Sequence, residues 1–156
     1  MRISLRTLLI AFLLVTPTTA DERKPFVSLI LDAATAEHLG QDVLFRCEAI
    51  LDNASQEDLE VRTNFYSVFD GLEIVVTDRE GKVLAQQGYT FHQSPRAPPG
   101  RRLVLKPGPT KENLNFPVSH FPAGDGLFKV RLVGTLPGTT YQRILCSDSI
   151  GVRIGK

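Results

Sequence analysis

From residue 27 to the end of the chain, apolar and polar residues alternate in short bursts with a period of two. That period is the mark of β-strands with one buried face. Val27, Leu29 and Leu31 alternate with Ser28 and Ile30. Val43, Phe45, Cys47, Ala49 and Leu51 share one face and Arg46 and Glu48 the other, and Asp52-Asn53-Ala54-Ser55 reads as a turn. Leu59, Val61, Thr63 and Phe65 alternate with Glu60, Arg62, Asn64 and Tyr66. After the turn signal Asp70-Gly71, the runs 72–77 and 82–87 flank Asp78-Arg79-Glu80-Gly81 and predict a hairpin, since Gly81 can take the left-handed conformation such loops use.

The second half repeats the habit. A short strand at 102–105 is expected to stop at Lys106-Pro107-Gly108-Pro109, and another at 112–116 to stop at Pro117. Phe128, Val130 and Leu132 alternate with Lys129, Arg131 and Val133 in the cleanest strand, and Ile150, Val152 and Ile154 form the closing one. Only residues 33–39 could hold a helical turn, and no internal repeat is present. About eight or nine strands with turns every eight to twelve residues predict an all-β fold, an antiparallel β-sandwich of immunoglobulin-like type in preference to a barrel.

Residues 1–20 break the pattern. MRISLRTLLIAFLLVTPTTA has a basic start at Arg2 and Arg6, an apolar run from Leu8 to Val15, and a small-residue site ending at Ala20, the layout of a secretory signal. The run is well short of the roughly 20 apolar residues that cross a bilayer as a helix. The expectation is an exported protein, periplasmic or extracellular, with residues 21–156 as one sandwich domain and no transmembrane segment after signal removal. Export also changes the charge. The full chain has 18 basic and 17 acidic residues; without 1–20 the count is 16 against 17 over 136 residues, or net −1. Such a balance argues against nucleic acid as a partner, which needs a strongly basic face.

Several runs make the family resemblance more specific: Leu51-x-Asn53-x-Ser55, Leu105-x-Pro107-Gly108, Gly126-x-Phe128-x-Val130-x-Leu132 and Ser147-x-x-Ile150-x-Val152-x-Ile154. They resemble small exported bacterial immunoglobulin-like domains, and the layout is similar to that of the intracellular proteinase inhibitor family. These motifs are strand-and-turn grammar, so the resemblance implies a fold and no reactive site. The chain departs from the pattern in having no core tryptophan, whose place Phe65 could take, and in placing Cys146 beyond the strand where an immunoglobulin domain has its second cysteine.

Chemistry is sparse. His38, His92 and His120 are far apart in sequence, and no H-x-H, H-E-x-x-H or C-x-x-C spacing supplies a metal site. Neither a G-x-S-x-G elbow nor a Gly-rich phosphate loop occurs, so the expectation is no enzyme, no cofactor and no metal. Cys47 and Cys146 have two readings: a disulfide closing a loop of about 100 residues, worth roughly 4–5 kcal/mol in the chain-entropy model, or two thiols acting as small hydrophobes. Asn53-Ala54-Ser55 fits the N-glycosylation triplet, against which stands an Asn whose side chain closes the turn.

The most informative region is 88–102, GYTFHQSPRAPPGRR. Fifteen residues without a strand period is long for a connection in a compact domain, and such loops tend to carry function. Tyr89, Phe91, His92, Arg96, Arg101 and Arg102 are the candidate binding residues, stiffened by Pro95, Pro98 and Pro99. Residues 81–111 hold six Lys/Arg and no acid, whereas 48–80 hold nine acids against Arg62 and Arg79. Either this loop is an exposed contact, or its aromatics pack on the sandwich and its basic residues meet the acidic half at the surface. The functional expectation is a non-enzymatic interaction or structural module of the periplasm or cell envelope, its partner a protein or an anionic envelope component; the alternative is a proteinase inhibitor presenting loop 88–102.

Overall fold

The computed structural model describes residues 26–63, 67–89, 101–136, 139 and 143–155. Among these, ten strands and no helix occur: β1 (Val27–Leu39), β2 (Asp42–Asn53), β3 (Leu59–Thr63), β4 (Leu72–Thr77), β5 (Val83–Gly88), β6 (Arg101–Leu105), β7 (Gly108–Val118), β8 (Gly126–Gly134), β9 (Leu145–Cys146) and β10 (Ile150–Ile154). All pairings are antiparallel. A first sheet has the order β1-β2-β7, a second the order β10-β8-β4-β5 with β9 also on β8, and β3 and β6 form a separate ribbon. The expected all-β antiparallel sandwich is therefore present, with the two-residue β9 added to the nine strands that the alternation predicts.

The residues expected to allow a helical turn, 33–39, are instead the second half of β1. They pair with β2 from Ala33↔Glu48 to Leu39↔Asp42, and Ala34 and Ala36 pack on the core. Their partner strand decides the matter: Gly40-Gln41 closes a two-residue hairpin with Gly40 at φ 70°, the positive angle a tight primed turn requires at its first central position. A bulge between Leu31 and Ala33 shifts the alternation and hides the period in the sequence. β6 stops at Leu105, ahead of Lys106-Pro107, as expected, but Pro109 already belongs to the next strand and Pro117 does not end it. β7 pairs with β2 along its whole length, including Asp52↔Pro109 and Leu44↔Pro117, because β7 is an edge strand on which a missing N–H can face away from the ladder.

The hairpin β4–β5 is as expected. The Glu80 and Lys82 amides both donate to Asp78 Oδ1 at 2.9 Å, and Gly81 has φ 88°. At the other side of the second sheet, the strand paired with β8 is interrupted. β10 covers Gly126–Val130 and β9 covers Val133–Gly134, and Ser147 fills the gap: its amide donates to the Leu132 carbonyl at 2.9 Å, and the Leu132 amide donates to Ser147 Oγ at 2.9 Å.

Alternating inward residues of both sheets make one core. Phe45, Phe69 and Phe116 have no exposed surface, and burying side chains of this kind contributes about 1.5–3 kcal/mol each. Phe121 meets Phe45 and Phe128 edge-on, with centroids 5.6 and 5.4 Å apart. These phenylalanines supply the aromatic mass that the absent tryptophan would otherwise provide; Phe65 lies outside the described residues. Asn53 is buried at the end of β2. Its Nδ2 donates to the carbonyls of Glu57 and Leu105 at 3.0 and 3.1 Å, and its Oδ1 accepts from Ser55 N and Ser55 Oγ at 3.1 and 2.7 Å. Donors and acceptor are both filled, so this Asn anchors the turn to the β3–β6 ribbon and has no amide left for a sugar.

Candidate functional site

The two sheets turn opposite charge to solvent. On the first sheet, the outward positions of β1, β2 and β7 carry Asp32, Glu37, Glu48 and Asp52 against Arg46 and Lys111, and both cations are engaged. Arg46 pairs with Glu37. Lys111 Nζ lies 3.0 Å from Glu48 and 3.3 Å from Asp32, and these two carboxylates raise the pKa of its ammonium.

On the second sheet, strict alternation sends Lys129 and Arg131 of β8 and Arg153 of β10 outward. None of the three has an ion pair among the described residues. Glu73 is the acid on this face, and it accepts from Gln86. Leu127 and Val83, 43% and 51% exposed, stand among the cations. Val75 also points outward yet is only 4% exposed; its cross-strand neighbours are Arg131 and Gln86, whose long stems cover apolar surface. The result is a face built on paired strands, with basic tips and an apolar ground. Such a face can engage an anionic surface without further folding.

The residues singled out from sequence lie elsewhere. Phe91, His92 and Arg96 lie outside the described residues, as do residues 1–20 of the expected signal. Tyr89 follows β5, where its ring meets Phe116 edge-on at 5.7 Å and its hydroxyl donates to Glu112 at 3.2 Å. Glu112 also accepts from Ser67 Oγ at 2.6 Å, so the pair ties the start of loop 88–102 to β7. Burial, then the charge of Glu112 and its hydrogen bond, then Asp70, push the Tyr89 phenol above its ordinary pKa. Arg101 and Arg102 open β6 opposite Thr63 and Arg62, and Arg102 Nε lies 3.4 Å from Glu60. Lys111 and Arg102 thus meet acids of the 48–80 region at the surface.

Cys47 and Cys146 are unbridged. Cys47 faces the core from β2, where burial pushes its thiol up to about 12, whereas Cys146 is exposed on β9. The two thiols therefore sit in opposite environments, one in the core and one at the surface. His38 and His120, distant in sequence, line one depression beside the β1–β2 turn; His38 Nε2 is 3.0 Å from Asp125 Oδ1, and the His120 amide donates to Asp42 at 3.0 Å. Among the described residues no three His, Cys, Asp or Glu side chains are grouped as a metal would need.

Lys129, Arg131 and Arg153 were visible in the sequence as the polar half of two strand patterns. The missing signal was adjacency: Lys129 and Arg153 become neighbours only through the β8–β10 register.

No family model matches the chain, and no curated protein matches it. The likeness to intracellular proteinase inhibitors is accordingly unsupported. A solved structure similar to the chain is that of a mutant of the CFA/I adhesin CfaE of enterotoxigenic E. coli, at 13% identity and a TM-score of 0.30, over 85% of this chain. The chain spans 49% of that protein's length, and likeness at this level carries no argument about function. No helix among the described residues is long and apolar enough to cross a membrane.

Proposed function

We propose that the chain is an exported, non-enzymatic interaction module of the periplasm or cell envelope, and that the outer face of its second sheet is the contact for an anionic envelope component. The observation that carries this reading is the set Lys129, Arg131 and Arg153, outward on adjacent strands with no ion pair among the described residues. On the first sheet the cations are spent on neighbouring acids. Cations left unpaired on a rigid face attract an opposite surface, raise the association rate and favour register with a complementary partner. Support for export is the layout of residues 1–20.

The test is a crosslinking pull-down from the native envelope, comparing the wild type with Lys129→Glu/Arg131→Glu/Arg153→Glu. Loss of the wild-type partners from the variant is expected. An unchanged partner set overturns the assignment of this face.

A further inference from the structure

At one end of the basic face, the ladder places Gly151 of β10 opposite Lys129 of β8. We infer that the depression this glycine leaves is a seat for a small organic carboxylate carried on a short apolar stem, an inference that rests on reading the face as a contact. The depression has a volume of about 310 Å³ and is lined by Arg79, Leu127, Phe128, Lys129, Ser149 and Gly151. That is large enough for a compact ligand.

Three elements supply its polar groups. Arg79 comes from the β4–β5 loop that Asp78 holds in shape, Lys129 from the middle of β8, and Ser149 from the connection that Ser147 splices to the ladder. Leu127, outward and 43% exposed, supplies an apolar wall. A planar guanidinium beside an ammonium and a hydroxyl matches a carboxylate, and the Leu127 wall matches a hydrocarbon stem.

Glycine at 151 has no local reason. Its φ is not positive, and a Cβ built on it meets only Leu127 Cδ1, at an ordinary 3.7 Å. Glycine weakens a strand interior and often marks a place where another group approaches the backbone closely. The neighbouring depression shares Arg79, Leu127 and Phe128 and carries Asp78, Glu80 and Asp125. Those acids border the seat on one side, so the anion it takes is a compact one held at the Arg79 and Lys129 side.

The experiment is an amide-resonance titration of the full chain with hexanoate, with hexylamine and inorganic phosphate as comparisons. Hexanoate is expected to bind saturably, with Kd on the order of 1 mM, as befits so few atoms. Shifts should centre on 127–129 and 149–151, with hexylamine inert and phosphate weaker. Gly151→Val fills the seat without changing charge and should weaken hexanoate about tenfold or more while leaving envelope partners bound; Lys129→Gln should weaken hexanoate similarly. Arg131→Gln/Arg153→Gln, which adds no acid beside the seat, should do the reverse, weakening envelope partners and keeping hexanoate, so failure of the seat is separable from failure of the face. No saturable binding, equal binding of phosphate, or wild-type affinity in Gly151→Val overturns the inference.

Discussion

The Leu132 amide donates to the side-chain oxygen of Ser147 at 2.9 Å, and the Ser147 amide returns a bond of the same length to the Leu132 carbonyl. A side chain thus stands in for one ladder group where the strand beside β8 is broken into β9 and β10. Both residues are buried, so the exchange occurs out of water.

Ser147→Ala leaves the Leu132 N–H buried without that acceptor. The cost of such an orphaned donor is about 1–3 kcal/mol, read as a lowered urea midpoint at unchanged m-value. Because Ser147 also fixes the connection leading to Ser149 and Gly151, the same variant should loosen the seat more than the distant face cations.

Asn53→Ala removes four hydrogen bonds at once, two of them to carbonyls on the β3–β6 side. The expected loss is about 2–3 kcal/mol, larger than for a surface turn residue.

The two thiols should differ in reactivity. At about pH 8 a thiol reagent should modify Cys146 quickly in the native protein and reach Cys47 only after unfolding, since the thiolate is the reactive form and burial suppresses it. Modification of both at one rate contradicts the burial of Cys47.

Alkaline pH should destabilise the fold through the same group. The folded-state pKa of Cys47 is raised from 9.0 to about 12 by burial, so its contribution is fully present below 9.0 and is lost as pH rises across that window. Tyr89, also raised, adds to the loss at higher pH. Urea midpoints should fall steeply above about pH 9, and Cys47→Ala should make the fall shallower although its neutral-pH stability is lower.

Much of the fold was legible because strands with one buried face write a period of two into the chain. Where a second constraint acted, the pattern misled. The bulge at Leu31/Ala33 moved the period of β1 out of phase, and the edge position of β7 admitted prolines that normally stop a strand. The candidate site was less legible. Residues 88–102 stood out by composition, but charge along the chain does not show which cations find acids; Arg102 and Lys111 do so through pairings with residues forty or more positions away. Lys129, Arg131 and Arg153 form one face only once β8 and β10 are in register.

The most direct test of the basic face is the salt dependence of retention on a carboxylated matrix, compared between two variants with the same change in net charge. Lys129→Glu/Arg131→Glu/Arg153→Glu should abolish retention at low salt, whereas Arg46→Glu/Lys111→Glu/Arg62→Glu, which alters cations already paired with acids, should keep most of it, both variants being checked for native far-UV circular dichroism. Equal loss in the two variants, or no loss in the first, contradicts a contact seated on the outer face of the second sheet.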